Sequence, residues 1–153
     1  MTYQLPEPLA NRHQLAEFTC RSAEQTEWLR RYARQSTATG TTRVFVVTEA
    51  GHDQVVAYYA WCVAQIALEM APDRMRKGAG RYPQPVALLA RLGADAGHEG
   101  RGPGAGLLQD AIARLSELSP QIGCRGLLIH AESKAARDFY RHLTPEVRGQ
   151  PDR

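Results

Sequence analysis

Long apolar runs are missing from this chain. No stretch of its 153 residues approaches the ~20 consecutive apolar residues that a membrane-crossing helix needs, so no membrane partner is expected. The opening MTYQLPEPLANRHQ is polar, carries two prolines and lacks the apolar core of a secretory signal. Cysteine is scarce as well. Cys20, Cys62 and Cys124 are odd in number, widely spaced and match no metal-ligand spacing. That pattern argues against a disulfide framework or a metal site and fits the reducing cytoplasm. Charge of one sign is weak: a formal net charge of +3 permits a nucleic-acid partner without requiring one. Repeats, low-complexity blocks and linkers are absent.

What remains is the composition of a folded domain, 43% hydrophobic and 23% charged. At this length one domain is expected, over residues 1–143, with 144–153 as an irregular tail. EQTEWLRRYARQ (24–35) predicts an amphipathic helix with Trp28, Leu29, Tyr32 and Ala33 on one stripe. Two β-rich runs, 43–48 and 54–63, flank a glycine-containing turn and predict an antiparallel hairpin. Residues 72–85, with three prolines and two glycines, read as a loop, and PVALLARL (85–92) as a buried strand. Leu108, Ala111, Ile112, Leu115 and Leu118 then recur at helical spacing. RGLLIHA (125–131) reads as another buried strand, and Ser133 as the cap of a last helix in which Ala136, Phe139, Tyr140 and Leu143 share a face. The order helix, hairpin, strand, glycine loop, helix, strand, helix predicts a mixed α/β domain, α+β-like, with helices layered on a sheet.

The glycine loop carries the chemistry. Gly97, Gly100, Gly102, Gly104 and Gly106 fall within ten residues, between a strand and a helix. A strand that enters a helix through such a turn leaves unpaired N–H groups at the positive end of the helix dipole, which suits a phosphate. Pro103 fits the first helical turn, where its missing N–H costs little. The glycines by themselves fit a plain surface turn equally well. A nucleotide P-loop is excluded, because no Gly-Lys-Ser/Thr follows. GRGPGA (100–105) matches a dinucleotide fingerprint only weakly: it starts several residues after the strand, and Glu132 lies too far on.

EGRGPGA (99–105) is closer to the Arg/Gln-x-x-Gly-x-Gly/Ala pyrophosphate loop of the Gcn5-related N-acetyltransferases. FTCRSAEQTEWLRRYA, TRVFVV, VVAYYAW, PVALLARLGAD, GRGPGAGLLQDA and HAESKAARDFY follow in the same order and at matching distances. Together, from about residue 5 to 143, they resemble the acetyltransferase toxins of bacterial toxin–antitoxin pairs, which acetylate charged tRNA. The resemblance implies a central, mostly antiparallel sheet flanked by helices and acetyl-CoA as co-substrate, with no metal. It implies that Leu92, Gly93 and Ala94 align the acetyl and pantetheine parts. Glu99, Gly100, Arg101, Gly102, Gly104, Ala105 and Ser133 are implied to hold the rest of the cofactor. Tyr140 is implied to be the general acid for the departing thiolate, although a Phe-Tyr pair at this spacing otherwise reads as core. The implied partners are aminoacyl-tRNA, a ribbon-helix-helix antitoxin and a second copy of the chain.

Cations for tRNA phosphates are available at Arg74, Arg76, Lys77 and Arg81, offset locally only by Asp73. Arg30, Arg31 and Arg34 read more simply as a solvated helix face. No residue stands out as a general base; Glu49, His98, His130 and Glu132 merely titrate. Three departures from the family pattern stand out. Glu99 replaces the usual glutamine or arginine, Pro103 removes a donor, and Gln25 replaces a leucine of the buried stripe. After FYRHL, the segment TPEVRGQPDR has neither the Gly-Phe turn nor the strand that normally closes the sheet, so the final strand is expected to be missing. Acetylation of a different amine, or an inactive remnant of the fold, are the alternatives this leaves.

Overall fold

Alternation along the two central strands sorts their side chains onto opposite faces of one sheet. Phe45, Val47, Ala57, Tyr59 and Trp61 point to one side, and Val44, Val46, Tyr58 and Ala60 to the other. Both faces are covered, so the strands read as nearly continuous apolar runs. The computed structural model describes residues 2–78 and 80–130. The helix expected after Ser133, Tyr140, Glu132 and the C-terminal segment therefore lie outside the described residues.

Among the described residues the sheet has five strands in sequence order: β1 (Glu7–Pro8), β2 (Arg43–Thr48), β3 (Val55–Ile66), β4 (Gln84–Ala94) and β5 (Leu127–Ile129). β1 to β4 pair antiparallel and β5 joins β4 in parallel. The expected mixed α/β domain with a mostly antiparallel sheet is borne out. The hairpin is present too, with β3 longer than the sequence indicated. Residues 72–85 are not all loop: they hold the short helix α2 (Asp73–Arg76), and β4 already begins at Gln84. The strand expected at 125–131 is only three half-buried residues long.

The first helix, α1, comprises three consecutive segments: Ala23–Glu27, a π-helical turn Trp28–Tyr32, and Ala33–Ala38. Ser22 caps it by accepting from the Gln25 N–H. The π turn, in which Ala33 N–H donates to the Trp28 carbonyl, is wider than an α turn and swings the i+3 position away from the sheet. Tyr32, expected in the stripe, is therefore 50% exposed, while Gln25, Thr26, Leu29 and Ala33 are buried. The opposite face of the sheet receives α3 (Pro103–Leu118) through Leu107, Leu108, Ala111 and Leu115. Ile112 and Leu118, also expected in the core, lie at the edge of that contact and are exposed.

Candidate active site

The site is built around an irregularity in β4. Arg91 pairs with Ala60 and Leu89 with Trp61, which leaves Ala90 without a partner on β3, a bulge in β4. On its other edge β4 pairs with β5 through Ala87, Leu88 and Leu89, and the His130 N–H donates to the Leu89 carbonyl at 3.2 Å. Among the described residues that pairing ends at the bulge. From Ala90 to Ala94 no described strand pairs with the outer edge of β4, and an amide-bearing chain can add to such an edge as a strand does.

The glycine loop follows directly on β4. Asp95 caps the turn Ala96–His98 with one carboxylate oxygen on the Gly97 N–H (2.9 Å), and its other oxygen accepts from the Thr19 N–H at 3.0 Å. Gly100 and Gly102 have φ of 76° and 96°, conformations that disfavour any side chain. Gly102 is the N-cap of α3 and has no side chain to satisfy the first-turn donors. With Pro103 at the first position, the N–H groups of Gly104 and Ala105 have no intrahelical acceptor and stand at the positive end of a 16-residue helix. This donor set fits a pyrophosphate. Pro103 removes no donor that a helix would have used.

The sequence left Glu99 as an acid next to an anion site. In the structure its carboxylate turns to the Arg21 guanidinium, 2.9 Å away, so its charge is paired. His98, one residue earlier, accepts or donates at both ring nitrogens. Nδ1 lies 2.8 Å from the Tyr3 hydroxyl and Nε2 lies 3.3 Å from Glu49. His98 and Glu49 thereby pin the loop to the N-terminal arm and the β2–β3 turn, a structural use rather than that of a free base.

The placements of the other expected site residues differ. Leu92 and Ala94 pack toward α3. Gly93 faces the other way: a Cβ there would stand 3.3 Å from both Cys20 Sγ and the Tyr58 ring, so glycine lets residues 18–20 pack close. Arg101 is exposed on the loop. Arg74 and Arg76 lie in α2, and Arg76 donates from Nε to the Leu68 carbonyl at 3.0 Å. Lys77 and Arg81 are exposed. This basic segment precedes β4 and the glycine loop follows it. Eleven strand residues separate them, roughly 35 Å at ~3.3 Å per residue. Arg34 is tied to the Ala10 carbonyl (3.1 Å), whereas Arg30 and Arg31 join Arg21 along an open groove of about 670 Å³ beside α1.

Sequence reasoning missed Arg21, Glu24 and Arg91. Arg91 donates to Glu24 at 3.0 Å and stands 5.5 Å over the Trp28 ring. Gln25, noted only as a departure from the apolar stripe, is buried; its backbone carbonyl accepts from the Tyr58 hydroxyl at 2.6 Å, and its side-chain Oε1 lies 3.4 Å from the same hydroxyl. Only the polarity of Gln25 hinted at a role.

No protein-family model matches the chain. A tRNA-acetylating toxin of Mycobacterium tuberculosis (strain ATCC 25618 / H37Rv) is 34% identical over 145 residues, which cover 95% of this chain and 86% of that protein. The chain belongs to the tRNA-acetylating toxins. A second relative, a probable toxin TacT of Sinorhizobium fredii (strain NBRC 101917 / NGR234), is 30% identical over 125 residues, 80% of this chain and 69% of its own. Among solved structures, AtaT complexed with acetyl-methionyl-tRNAfMet has the same fold. It superposes with a TM-score of 0.83 at 23% identity, over 93% of this chain and 85% of AtaT. A tyrosine-to-phenylalanine mutant of AtaT, bound to the C-terminus of the antitoxin AtaR and acetyl-CoA, gives a TM-score of 0.76 at 21% identity, over 94% and 83%.

Proposed function

We propose that this tRNA-acetylating toxin family member transfers the acetyl group of acetyl-CoA to the α-amino group of aminoacyl-tRNA and so blocks translation. The observation that carries the reading is that, among the described residues, β4 has no partner on its outer edge past the Ala90 bulge and runs on into the glycine loop at the N-terminus of α3. One end suits a pantetheine arm and the other its pyrophosphate. Acetyl-CoA supplies an activated thioester carbonyl. Backbone N–H groups at the β4 bulge polarise that carbonyl. The amine nitrogen forms the new C–N bond as the C–S bond breaks, Tyr140 gives the leaving sulfur its proton, and the proton that the attacking nitrogen sheds passes through water to restore the Tyr140 phenol. The α-amine of an aminoacyl ester is less basic than an ordinary N-terminus, with its pKa of ~7.7–8.0, so enough of it is neutral at pH 7 without a dedicated base. That agrees with the commitment of His98 and Glu49 to each other.

Support for the cofactor, the substrate and an antitoxin partner comes from AtaT, solved with acetyl-methionyl-tRNA and with AtaR and acetyl-CoA. A ribbon-helix-helix antitoxin, a homodimer and a cytoplasmic site of action complete the proposal. The test is incubation of the purified chain with acetyl-CoA and charged tRNA, followed by mass spectrometry of the aminoacyl-adenosine end. N-acetylation of the amino acid supports the reading, and acetylation of other amines only would redirect it.

Two results are expected from the surface of the site. Gly102→Val puts a β-branched residue at a left-handed φ of 96°, a strain of ~1–2 kcal/mol that the free loop sheds by leaving this conformation, so acetyl-CoA binding, which must restore it, should weaken by up to roughly 5–30-fold by calorimetry. Lys77→Glu combined with Arg81→Glu should weaken tRNA binding and lower its salt slope by about 2. An unchanged slope assigns the basic loop no phosphate contact and leaves the Arg21, Arg30 and Arg31 groove to supply them.

A further inference from the structure

The open groove of about 670 Å³ beside α1 has walls that are fixed to the glycine-loop end of the site. One wall is the helix face that carries Glu27, Arg30 and Arg31 at spacings of three and four. The other is the segment Thr19, Cys20 and Arg21. The Thr19 N–H donates to Asp95 at 3.0 Å, and the Thr19 carbonyl accepts from the Ala96 N–H at 2.9 Å, where β4 gives way to the loop. The Cys20 N–H donates to the Thr26 hydroxyl at 2.9 Å, which joins the two walls.

Three arginines share this lining with a single carboxylate, Glu27. Among the described residues no ion pair uses Arg30. Arg31 pairs with Glu27 at 3.3 Å and Arg21 with Glu99 at 2.9 Å. Both arginines are exposed, and exposed pairs hold too weakly to keep a phosphate from taking them. The volume lies in the ~300–1,000 Å³ range of sites that take a whole small molecule, more than a lone ion needs.

We infer that this groove holds backbone phosphates of the tRNA acceptor arm, with Arg30, Arg31 and Arg21 as their ligands. This rests on the aminoacyl-tRNA reading above. The aminoacyl ester must reach the thioester on β4, and the Cys20 thiol lies against Gly93 of that strand. Phosphates close to the ester end therefore have this groove beside them. The basic segment 74–81 precedes the opposite end of β4 and serves phosphates further along the arm. Guanidinium forks bind phosphate oxygens in pairs, which suits arginines set along a backbone. The helix face that reads from sequence as merely solvated thus carries part of the substrate surface.

The test measures binding of uncharged tRNA to the full chain over a salt series, beside kcat and KM for acetylation of charged tRNA. Arg30→Gln combined with Arg31→Gln should weaken binding roughly tenfold or more at low salt and lower the salt slope by roughly 1.4–1.8. KM for charged tRNA should rise with kcat nearly unchanged, and acetyl-CoA affinity should stay the same. Glu27→Gln removes the carboxylate of the groove and should tighten tRNA binding a fewfold, a gain that no folding defect imitates. An unchanged slope and KM in the arginine variant overturn the inference, while acetylation by the wild type keeps the function. Loss of binding to an oligoglutamate peptide, with tRNA binding intact, gives the groove to an acidic partner and overturns the inference too. Groove-dependent tRNA binding without acetylation upholds the groove and sinks the function.

Discussion

Tyr140→Phe should lower turnover by ~10²–10⁴-fold, the usual contribution of a general acid, while acetyl-CoA affinity stays nearly the same. The thiolate of coenzyme A departs more readily when a phenol proton reaches it, and phenylalanine keeps the ring while removing that proton. Loss of kcat with unchanged binding separates this role from the packing role that a Phe-Tyr pair at helical spacing otherwise has. Single-turnover rates with charged tRNA, beside calorimetry with acetyl-CoA, make the distinction. Equal turnover would remove Tyr140 from the reaction.

Asp110→Ala should destabilise the fold by about 2–3 kcal/mol, a fall in Tm of roughly 4–12 °C. One Asp110 oxygen accepts from both the Tyr59 hydroxyl and the Arg114 Nε, each at 2.7 Å. Tyr59 is fully buried, and Arg114 also donates to the Pro6 carbonyl at 2.9 Å and stands 4.2 Å over the Phe45 ring. Removing the carboxylate leaves a buried phenol without its acceptor and loosens α3, whose N-terminus forms the proposed phosphate site. Asp110→Asn keeps an acceptor and should cost less. Chemical denaturation measures both.

The same network fixes an alkaline limit. Burial pushes the Tyr59 phenol far above its ordinary value of 10.0, and the bond to Asp110 raises it further. Its folded-state pKa exceeds the unfolded one, so the contribution to stability is complete below pH ~10 and declines as pH rises beyond it. In a spectrophotometric titration the Tyr59 phenol should ionise only as the chain unfolds. Ionisation of Tyr59 in the still-folded chain near its ordinary value would show the network to be open.

The family was legible because its motifs are local. GRGPGAG must be a glycine turn entering a helix whatever surrounds it, and the β-rich runs at 43–48 and 54–63 pair through a short turn. Long-range pairing was not legible. Arg21 and Glu99 lie 78 positions apart and meet only because residues 18–20 pack against Gly93. Helical periodicity also misjudged α1. It assumes 3.6 residues per turn, and the π turn at Trp28–Tyr32 breaks that assumption, exposing Tyr32.

The sequence by itself determined the order of elements, the two-faced apolar strands and the glycine-capped helix, since side-chain period and φ preference act within a few residues. Only the tertiary structure decided what surrounds the site. The bulge at Ala90, the paired Glu99 and the hydrogen-bonded set of Gln25, Arg91 and Glu24 all depend on which strand and helix residues face one another across the sheet. That choice is made by packing of the whole core, and no local pattern encodes it.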